Sequence, residues 1–551
     1  MIRSATFHLP AAALLAAILF CPSAALAADA PGSSLDLVPW PRKVAVGSGE
    51  TVLGSSIVTT DEALKPLVAV LADEIKQITG KNLAVAQKSK PGDIVLKIDS
   101  TLAKDQYSLK VTDTATVRGG SYKAAAWGAA TLLQALKTDG QKVALPRIQV
   151  EDAPQMYYRG LLIDVARRYN SINALKQVVV MCRLYKINYV QLHLTDDHAW
   201  TFPSKAFPKL GSTNHGFRGP SPKVYDLQEL KDLVKFADDR GVTLVPELEM
   251  PGHSDSLRIP YPETFDANDG PAHMGIVDMT NPKAYEGLDT LIGEMCEVFQ
   301  SSPFFHLGAD EANLGRCKNS PLYADFLTKH GLQDSYDLYC YFVVEMDKLV
   351  IKHGRRTVVW GDGVRPPGSK SIKVPPHILA IPWRDNSNAA KNFVDNGFEV
   401  VNATWTPLYV VNQTAQTVDT VEDARGKRRP ETIYQWNPFV FDRLVLDPTP
   451  KVLGAQMCAW EEGGEIQVPV LRSRVSAMSE RVWNTDAGKT YADFARRLSA
   501  CDVLLNRLLS PLATETGGLP ETPANQSSAL QMPVRLSAAP AGNIAGSDPT
   551  R

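Results

Sequence analysis

The chain has 551 residues, 44% of them hydrophobic and 21% charged. These are globular values, so a fibrous or disordered chain is excluded, and the length exceeds one ordinary domain. Lys and Arg number 58 against 60 Asp and Glu, a net charge of -2; with no basic excess to neutralise a phosphate backbone, a nucleic-acid partner is not expected.

Residues 1–27 read as a signal peptide: Arg3 supplies the positive end, 9–20 an apolar run, and Ala25-Leu26-Ala27 a small-residue cleavage site. The run is shorter than the ~20 apolar residues a bilayer span needs, so a retained anchor is the weaker reading. Cys21 raises a lipoprotein signal, but bulky Phe20 stands where such signals need a small residue. Export to the periplasm or the medium is expected, and no later segment has the length and apolarity of a membrane helix. Six cysteines then remain (182, 296, 317, 340, 458 and 501). They show no CxxC or Cys/His zinc spacing. We read them as buried small residues, with one or two bridges left open by the exported setting.

Residues 36–154 read as a small α+β domain. The runs 51–60 and 93–99 are β-branched and apolar, 63–79 carries apolar residues at helical spacing before Gly80, and 122–136 is a second helix. No polar site converges here, which suggests packing or docking. From 155 to 510 short apolar strands alternate with amphipathic helices: strands at 160–163, 189–194, 243–248, 304–307, 357–360, 378–381, 398–401 and 452–456, with helices such as 172–185 and 227–240. Eight βα units predict a (β/α)8 TIM barrel, whose active site lies at the carboxyl ends of its strands. An open doubly wound sheet is the alternative, but no GxGxxG or Walker loop supports it. The tail 511–551 has six Pro and no aromatic residue, a composition expected to stay disordered.

The strand ends carry the chemistry. Strand two runs into Asp196-Asp197, strand three into Glu249 and His253, strand four into Asp310-Glu311, strand five into Trp360 and Asp362. Strand six leads to Trp383, strand seven to Trp405 and Tyr409, and strand eight to Trp460-Glu461-Glu462. Carboxylates, histidine and a ring of Trp at one mouth suit a ligand with an apolar face and a hydroxyl edge, as a sugar has. Each residue also has an ordinary reading: an Asp-Glu pair as a loop or cap, a Trp as core, Arg167 as part of a solvated Arg167-Arg168 pair. Their convergence at one end of successive strands weakens those readings. On a regular strand Asp310 and Glu311 would face opposite ways, so both can serve one site only if the strand ends there, which Gly308 permits.

At these residues the chain resembles the family 20 glycoside hydrolases, the exo-acting β-N-acetylhexosaminidases. The matching stretches are RGLLIDVARRY (159–169), HLTDDHAW (193–200), PELEMPGH (246–253), HLGADE (306–311), VVWGD (358–362) and GAQMCAWEE (454–462), with LVPWPRKV (37–44) resembling the start of that family's small N-terminal domain. The resemblance implies a retaining mechanism in which the substrate's 2-acetamido oxygen attacks the anomeric carbon, giving an oxazolinium-like intermediate. Glu311 matches the general acid, expected protonated when substrate arrives. Asp310 matches the carboxylate that holds the acetamido N–H, expected ionised. Asp196 and His253 match residues that tune the acid, and Arg167 and Glu462 match ligands of the terminal sugar's hydroxyls. Trp360, Trp383 and Trp460 match the box around the acetamido group, and Tyr409 the donor to its oxygen. No cofactor or metal is implied, and the partner would be a glycan bearing a terminal N-acetylhexosamine.

Three positions depart from the family pattern. Ala309 replaces a usual Gly, Glu249 stands where Asp is common, and Val411-Asn412 follows Tyr409 where many members carry Asp or Asn two residues on. The last leaves the glucosamine or galactosamine preference open. Three rivals stay open too: a disaccharide-releasing enzyme of the same family, an inactive sugar-binding protein on the same fold, and a metal-dependent barrel hydrolase. The last would need an HxH on strand one, which offers only Asp164.

Overall fold

The computed structural model describes residues 35–211, 223–267, 275–384, 389–411 and 429–515. The expected signal peptide lies outside them, as does the tail beyond 515. Eight parallel strands close into a barrel: Tyr158–Asp164, Tyr189–His193, Thr243–Met250, Phe304–Gly308, Arg356–Trp360, Leu379–Ile381, Val400–Asn402 and Val452–Trp460, called strands one to eight below. Neighbours pair in chain order, and strand eight closes the ring by pairing with both strand seven and strand one. Helices such as Ile172–Leu184, Leu227–Asp238 and Gln467–Trp483 cover the outside. The second shows why. Leu230, Leu233, Val234 and Ala237 form a buried stripe at helical spacing, and Asp226 caps the start by accepting from the Gln228 and Glu229 amides.

Strand alternation decides what fills the barrel. At the amino end Tyr158 stacks on Tyr189 at 4.7 Å beside Phe304. Above them lies a buried polar layer of Gln191, Glu247, His306 and Gln456, and above that the indoles. A short strand, Tyr409–Val411, pairs with Cys458–Trp460, so the upper half of strand eight gains a neighbour that strand seven does not reach. That pairing sets Tyr409 beside Trp460.

The N-terminal part carries a mixed sheet in the order Lys43–Val52, Lys142–Asp152, Tyr107–Val111, Ala115–Gly119, Ile94–Ile98, Ser56–Val58, Ala84–Ala86. The β-branched run 51–60 is broken at Leu53-Gly54-Ser55. Gly54 N–H donates to Gly92 O at 2.7 Å, and the Ser55 and Ser56 amides donate to Asp93 Oδ1. The Asp93 carboxylate thus takes donors that a continued ladder would have used. A Cβ on Gly54 would sit 2.4 Å from that carboxylate, so only glycine allows the crossing. The helix Tyr122–Ala135 is buried from Ala124 to Ala135, because it lies between this sheet and the barrel. Gln134 Nε2 donates to Leu184 O, Trp127 meets Trp483 edge-on at 5.5 Å, and Arg159 is held between those two indoles. The small domain is therefore used for docking.

All six cysteines are buried, in keeping with their reading as small apolar residues, and no disulfide joins them. Among the described residues no helix is long and apolar enough to cross a membrane. The chain runs on as a short helix, Ser510–Glu515, where Leu512 O accepts from Gln177 Nε2; the first residues of the tail are thus ordered on the barrel rather than disordered.

Candidate active site

The decisive local feature is the end of strand four. Gly308, Ala309 and Glu311 all take left-handed backbone conformations, with φ of 69, 72 and 45°. Such a sequence of turns ends the two-fold alternation, so neighbouring residues no longer point to opposite faces. The Asp310 and Glu311 carboxyls both approach His253, with oxygens 3.9 and 3.4 Å from its Nε2. Tyr339 Oη anchors the turn by donating to Ala309 O at 2.5 Å.

Beneath the pair lies a fully buried charge network. Glu247 accepts from Gln191 Nε2 (2.8 Å) and Trp360 Nε1 (2.9 Å), and its oxygens lie 2.7 and 3.1 Å from Nδ1 of His193 and His306. Burial opposes its charge, but the two imidazoles outweigh that and hold its pKa well below the usual range. Burial likewise opposes charge on His193, yet Glu247 and Asp196 push its pKa up to about 10. Asp196, with no accessible surface, meets Arg167 Nη2 at 2.5 Å, His198 Nδ1 at 2.8 Å and His193 Nε2 at 3.3 Å. Despite burial, Arg167 and these imidazoles hold it well below the usual carboxylate range. Arg167 also reaches Asp164 at 3.3 Å and lies 5.1 Å from the Trp460 ring. Arg167 is thus a nearly buried counter-ion of two carboxylates, not one of a solvated pair.

His253 links this network to the mouth, its Nδ1 lying 3.3 Å from Asp197 and 3.6 Å from Asp196. Burial opposes its charge, but Asp197, Glu311, Asp310 and Asp196 push its pKa up to about 11. The cation has a consequence that sequence reasoning missed. The Glu311 pKa is lowered, first by the hydrogen bond with His253, against partial burial, and then by the charges of His253, Arg384 and Arg167. Arg384 Nη1 lies 3.8 Å from Glu311 Oε1. In the free protein these contacts favour ionised Glu311, and the protonated form expected of it belongs to the complex with substrate. Adjacency in sequence said nothing of the cations around one of the two carboxyls.

The aromatic residues come together as expected. Trp360, Trp383, Tyr409 and Trp460 form a connected wall: Trp360 lies 6.0 Å from Trp460, Tyr409 lies 6.1 Å from Trp460 and stacks on Trp383 at 5.9 Å, and Trp405 lies tilted against Tyr409 at 4.7 Å. Two indoles are anchored by carboxyls, Trp360 by Glu247 and Trp383 by Asp362 Oδ1 at 2.9 Å. Burial, then the charge of Asp310, pushes the Asp362 pKa to about 6. Burial pushes the Tyr409 hydroxyl well up, which keeps it a neutral donor. Glu462 is buried, and its backbone carbonyl accepts from Asn170 and Gln467. Val411 is half-buried at the edge, and Asn412 lies outside the described residues. Trp436 stands apart from the box, its Nε1 donating to Val440 O.

Among the described residues, three sets of side chains bring metal-type donor atoms within 4.8 Å: His193, Glu247 and Glu249; Asp196, Asp197 and His253; His253, Asp310 and Glu311. In each set the carboxylates nearby push the imidazole pKa up, so in the free protein the donors pair with one another as ions. A separate cleft of about 370 Å3 lies between Trp40, Arg42, Gln155 and Asn484. Gln155 precedes strand one, so this cleft is at the amino end of the barrel, away from the carboxylates.

The description "Glycosyl hydrolase family 20, catalytic domain" matches residues 156–486, and "Glycosyl hydrolase family 20, domain 2" matches 34–153. A curated beta-hexosaminidase of Porphyromonas gingivalis is 28% identical over 520 residues, covering 88% of this chain and 65% of that protein. One from Vibrio furnissii is 28% identical, covering 78% and 73%. Among solved structures, an exo β-N-acetylglucosaminidase of Vibrio harveyi in complex with N-acetylglucosamine superposes with a TM-score of 0.75 at 23% identity, covering 87% of this chain and 79% of that one. A β-N-acetylhexosaminidase of Bacteroides fragilis gives 0.73 at 22%, covering 88% and 96%. At such identities the structural likeness speaks for the fold alone; the family match, across the barrel and the small domain together, carries the assignment, and the chain belongs to glycosyl hydrolase family 20.

Proposed function

We propose that the protein is an exo-acting, retaining β-N-acetylhexosaminidase that removes a terminal N-acetylglucosamine or N-acetylgalactosamine from a glycan with help from the substrate's own acetamido group. The observation that carries this reading is the aromatic wall of Trp360, Trp383, Tyr409 and Trp460 closing on the Asp310-Glu311 turn. Indole faces cover the C–H face of a sugar and the methyl of its acetamido group, while the adjacent carboxyls meet the reacting atoms.

In this reading Tyr409 donates to the acetamido oxygen and Asp310 accepts from its N–H, which turns the oxygen towards the anomeric carbon. The oxygen's attack expels the aglycone, whose oxygen takes a proton from Glu311. Water then opens the oxazolinium ring, and Glu311 recovers the proton as base. The low pKa of Glu311 in the free site suits the second half of this cycle. For the first half, the arriving sugar strips water from a carboxyl that is 46% exposed, and desolvation favours the neutral acid. Arg167 and Glu462 meet the sugar hydroxyls, and Asp196 and His253 hold the acid in place. No step calls for a metal or cofactor. Residues 1–27 direct export, so the mature chain would start at Ala28, which N-terminal sequencing of the native protein checks.

The test is product analysis with aryl N-acetylglucosaminide and N-acetylgalactosaminide and a panel of defined glycans. Release of the terminal monosaccharide alone supports the proposal. Release of a disaccharide would replace it with the other activity of the family, and binding without hydrolysis with an inactive sugar-binding protein.

A further inference from the structure

Glu249 has no part in the mechanism above, yet it lies against the centre of the site. Strand alternation points it into the barrel one layer above Glu247, and it is 2% exposed. Its amide donates to Thr195 Oγ1 at 2.9 Å, which fixes the backbone there. Its carboxyl is within hydrogen-bond reach of the Asp310 side chain. Each of the two carries a buried oxygen with no donor, Glu249 Oε1 and Asp310 Oδ1. A proton shared between the two carboxyls satisfies both.

The strand-four turn is fitted to this contact. A Cβ at Gly308 would lie 1.8 Å from Glu249 Oε1 and 2.1–2.2 Å from the rest of its carboxyl. The glycine is therefore required twice, for its left-handed φ and for the space the Glu249 head occupies. A shorter aspartate on strand three would not fill that space.

We propose that Glu249 is a positioning residue for Asp310: it carries a proton in the resting protein and donates it to Asp310 Oδ1, fixing that carboxylate so that Oδ2 faces the substrate's acetamido N–H. The proton is held because burial and the negative charges of Asp310, Glu247 and Asp196 all favour the neutral acid. His193, within 4.8 Å, is the cation on that side, and its charge is already engaged by Glu247 and Asp196. His306, on strand four, faces Glu247 rather than Glu249. Loss of the proton would set two carboxylates against each other and turn Asp310 away from the acetamido group.

The catalytic part of this inference rests on the proposed hexosaminidase reading, whereas the shared proton does not, so two measurements separate them. Infrared difference spectroscopy of the full chain at neutral pH, wild type minus Glu249→Gln, should show the carbonyl stretch of a protonated carboxylic acid. Its absence would overturn the proposal whatever the substrate. On an aryl N-acetylglucosaminide, Glu249→Leu should lower kcat about 100-fold, the effect of misplacing a reacting group by about 1 Å. Glu249→Gln keeps a donor to Asp310 and should lose only about tenfold, roughly one hydrogen bond. The wild type should also lose kcat at alkaline pH through a step that Glu249→Gln lacks. Equal kcat values and pH profiles for the two variants would reduce Glu249 to a space-filler. If Glu249→Leu fails to fold, the infrared band and the pH profile of Glu249→Gln still decide. A wild type inactive on every N-acetylhexosaminide would instead sink the functional reading and leave the proton to the infrared result.

Discussion

Below the mouth, Glu247 is surrounded by Gln191, His193, His306 and Trp360, and Asp196 by Arg167, His193 and His198, both carboxylates without accessible surface. At the mouth, Glu311 is nearly half exposed and meets cations only at 3.4 and 3.8 Å. The floor holds its charges through short, closed contacts that substrate cannot change. The rim holds its charge through long, wet contacts that substrate must change. One chain segment, the left-handed turn from Gly308 to Glu311, joins the two regimes. The comparison teaches that fixed orientation and variable protonation are supplied by different layers of the same site.

Breaking the floor should have the largest effect. Arg167→Ala leaves Asp164 without its counter-ion and Asp196 with only its two imidazoles, and removing one partner of a buried pair costs about 3–5 kcal/mol. Denaturant melts should show this loss, with activity falling too. That outcome differs from the behaviour of a surface residue that only touches sugar, whose loss would spare stability. Unchanged stability would mean that the floor is less closed than the 2.5 Å Arg167–Asp196 contact indicates.

Changes at the rim should spare the fold and strike the chemistry. Glu311→Gln should stay within ~0.5 kcal/mol of wild-type stability, as surface substitutions usually do. It should lose ~10²–10⁴-fold in turnover with a poor leaving group, the range of general acid catalysis. With an activated aryl group, which needs little protonation, the loss should be far smaller. Equal losses on both substrates would remove Glu311 as the acid.

The third contrast is one of pH. A lowered Glu311 pKa means that the free protein loses its acid form as pH rises through a point below the ordinary glutamate value. kcat/KM reports the free protein and kcat the complex, so the alkaline limb of kcat should lie at higher pH than that of kcat/KM. His253→Gln removes the leading cause of the depression and should move the kcat/KM limb upward. Arg384→Gln should move it the same way by less, with stability changed by no more than the ~1 kcal/mol an exposed ion pair provides. Coincident limbs, or a downward move, would contradict the rim's description.

Much of the barrel is legible in the sequence, because strands buried on both faces are short apolar runs and their ends carry polar residues. The small domain is less so. Lys43–Val52 is mostly exposed, and Tyr107–Val111 and Ala115–Gly119 are five-residue strands that form a hairpin with each other but join the sheet through Lys142–Asp152 and Ile94–Ile98. The site's membership is legible as a set of motifs, yet its protonation is not. Asp310-Glu311 reads as two like residues, and only the turn shows that, beside the His253 both approach, one meets Glu249 and the other Arg384. The part of Glu249 depends on its contact with Gly308, which stands on another strand, and no spacing within PELEMPGH reports it.

The account's central claim is that the substrate supplies the nucleophile. It is tested most directly by the ratio of kcat/KM for a β-N-acetylglucosaminide and a β-glucoside that share one aryl leaving group. Well-oriented intramolecular groups reach effective molarities of ~10⁵–10⁸ M. The account therefore predicts that the glucoside, lacking the acetamido oxygen, is slower by at least about 10⁵-fold. Rates within about tenfold of each other would mean that the attacking group belongs to the protein, and would contradict the roles given to Asp310 and Tyr409.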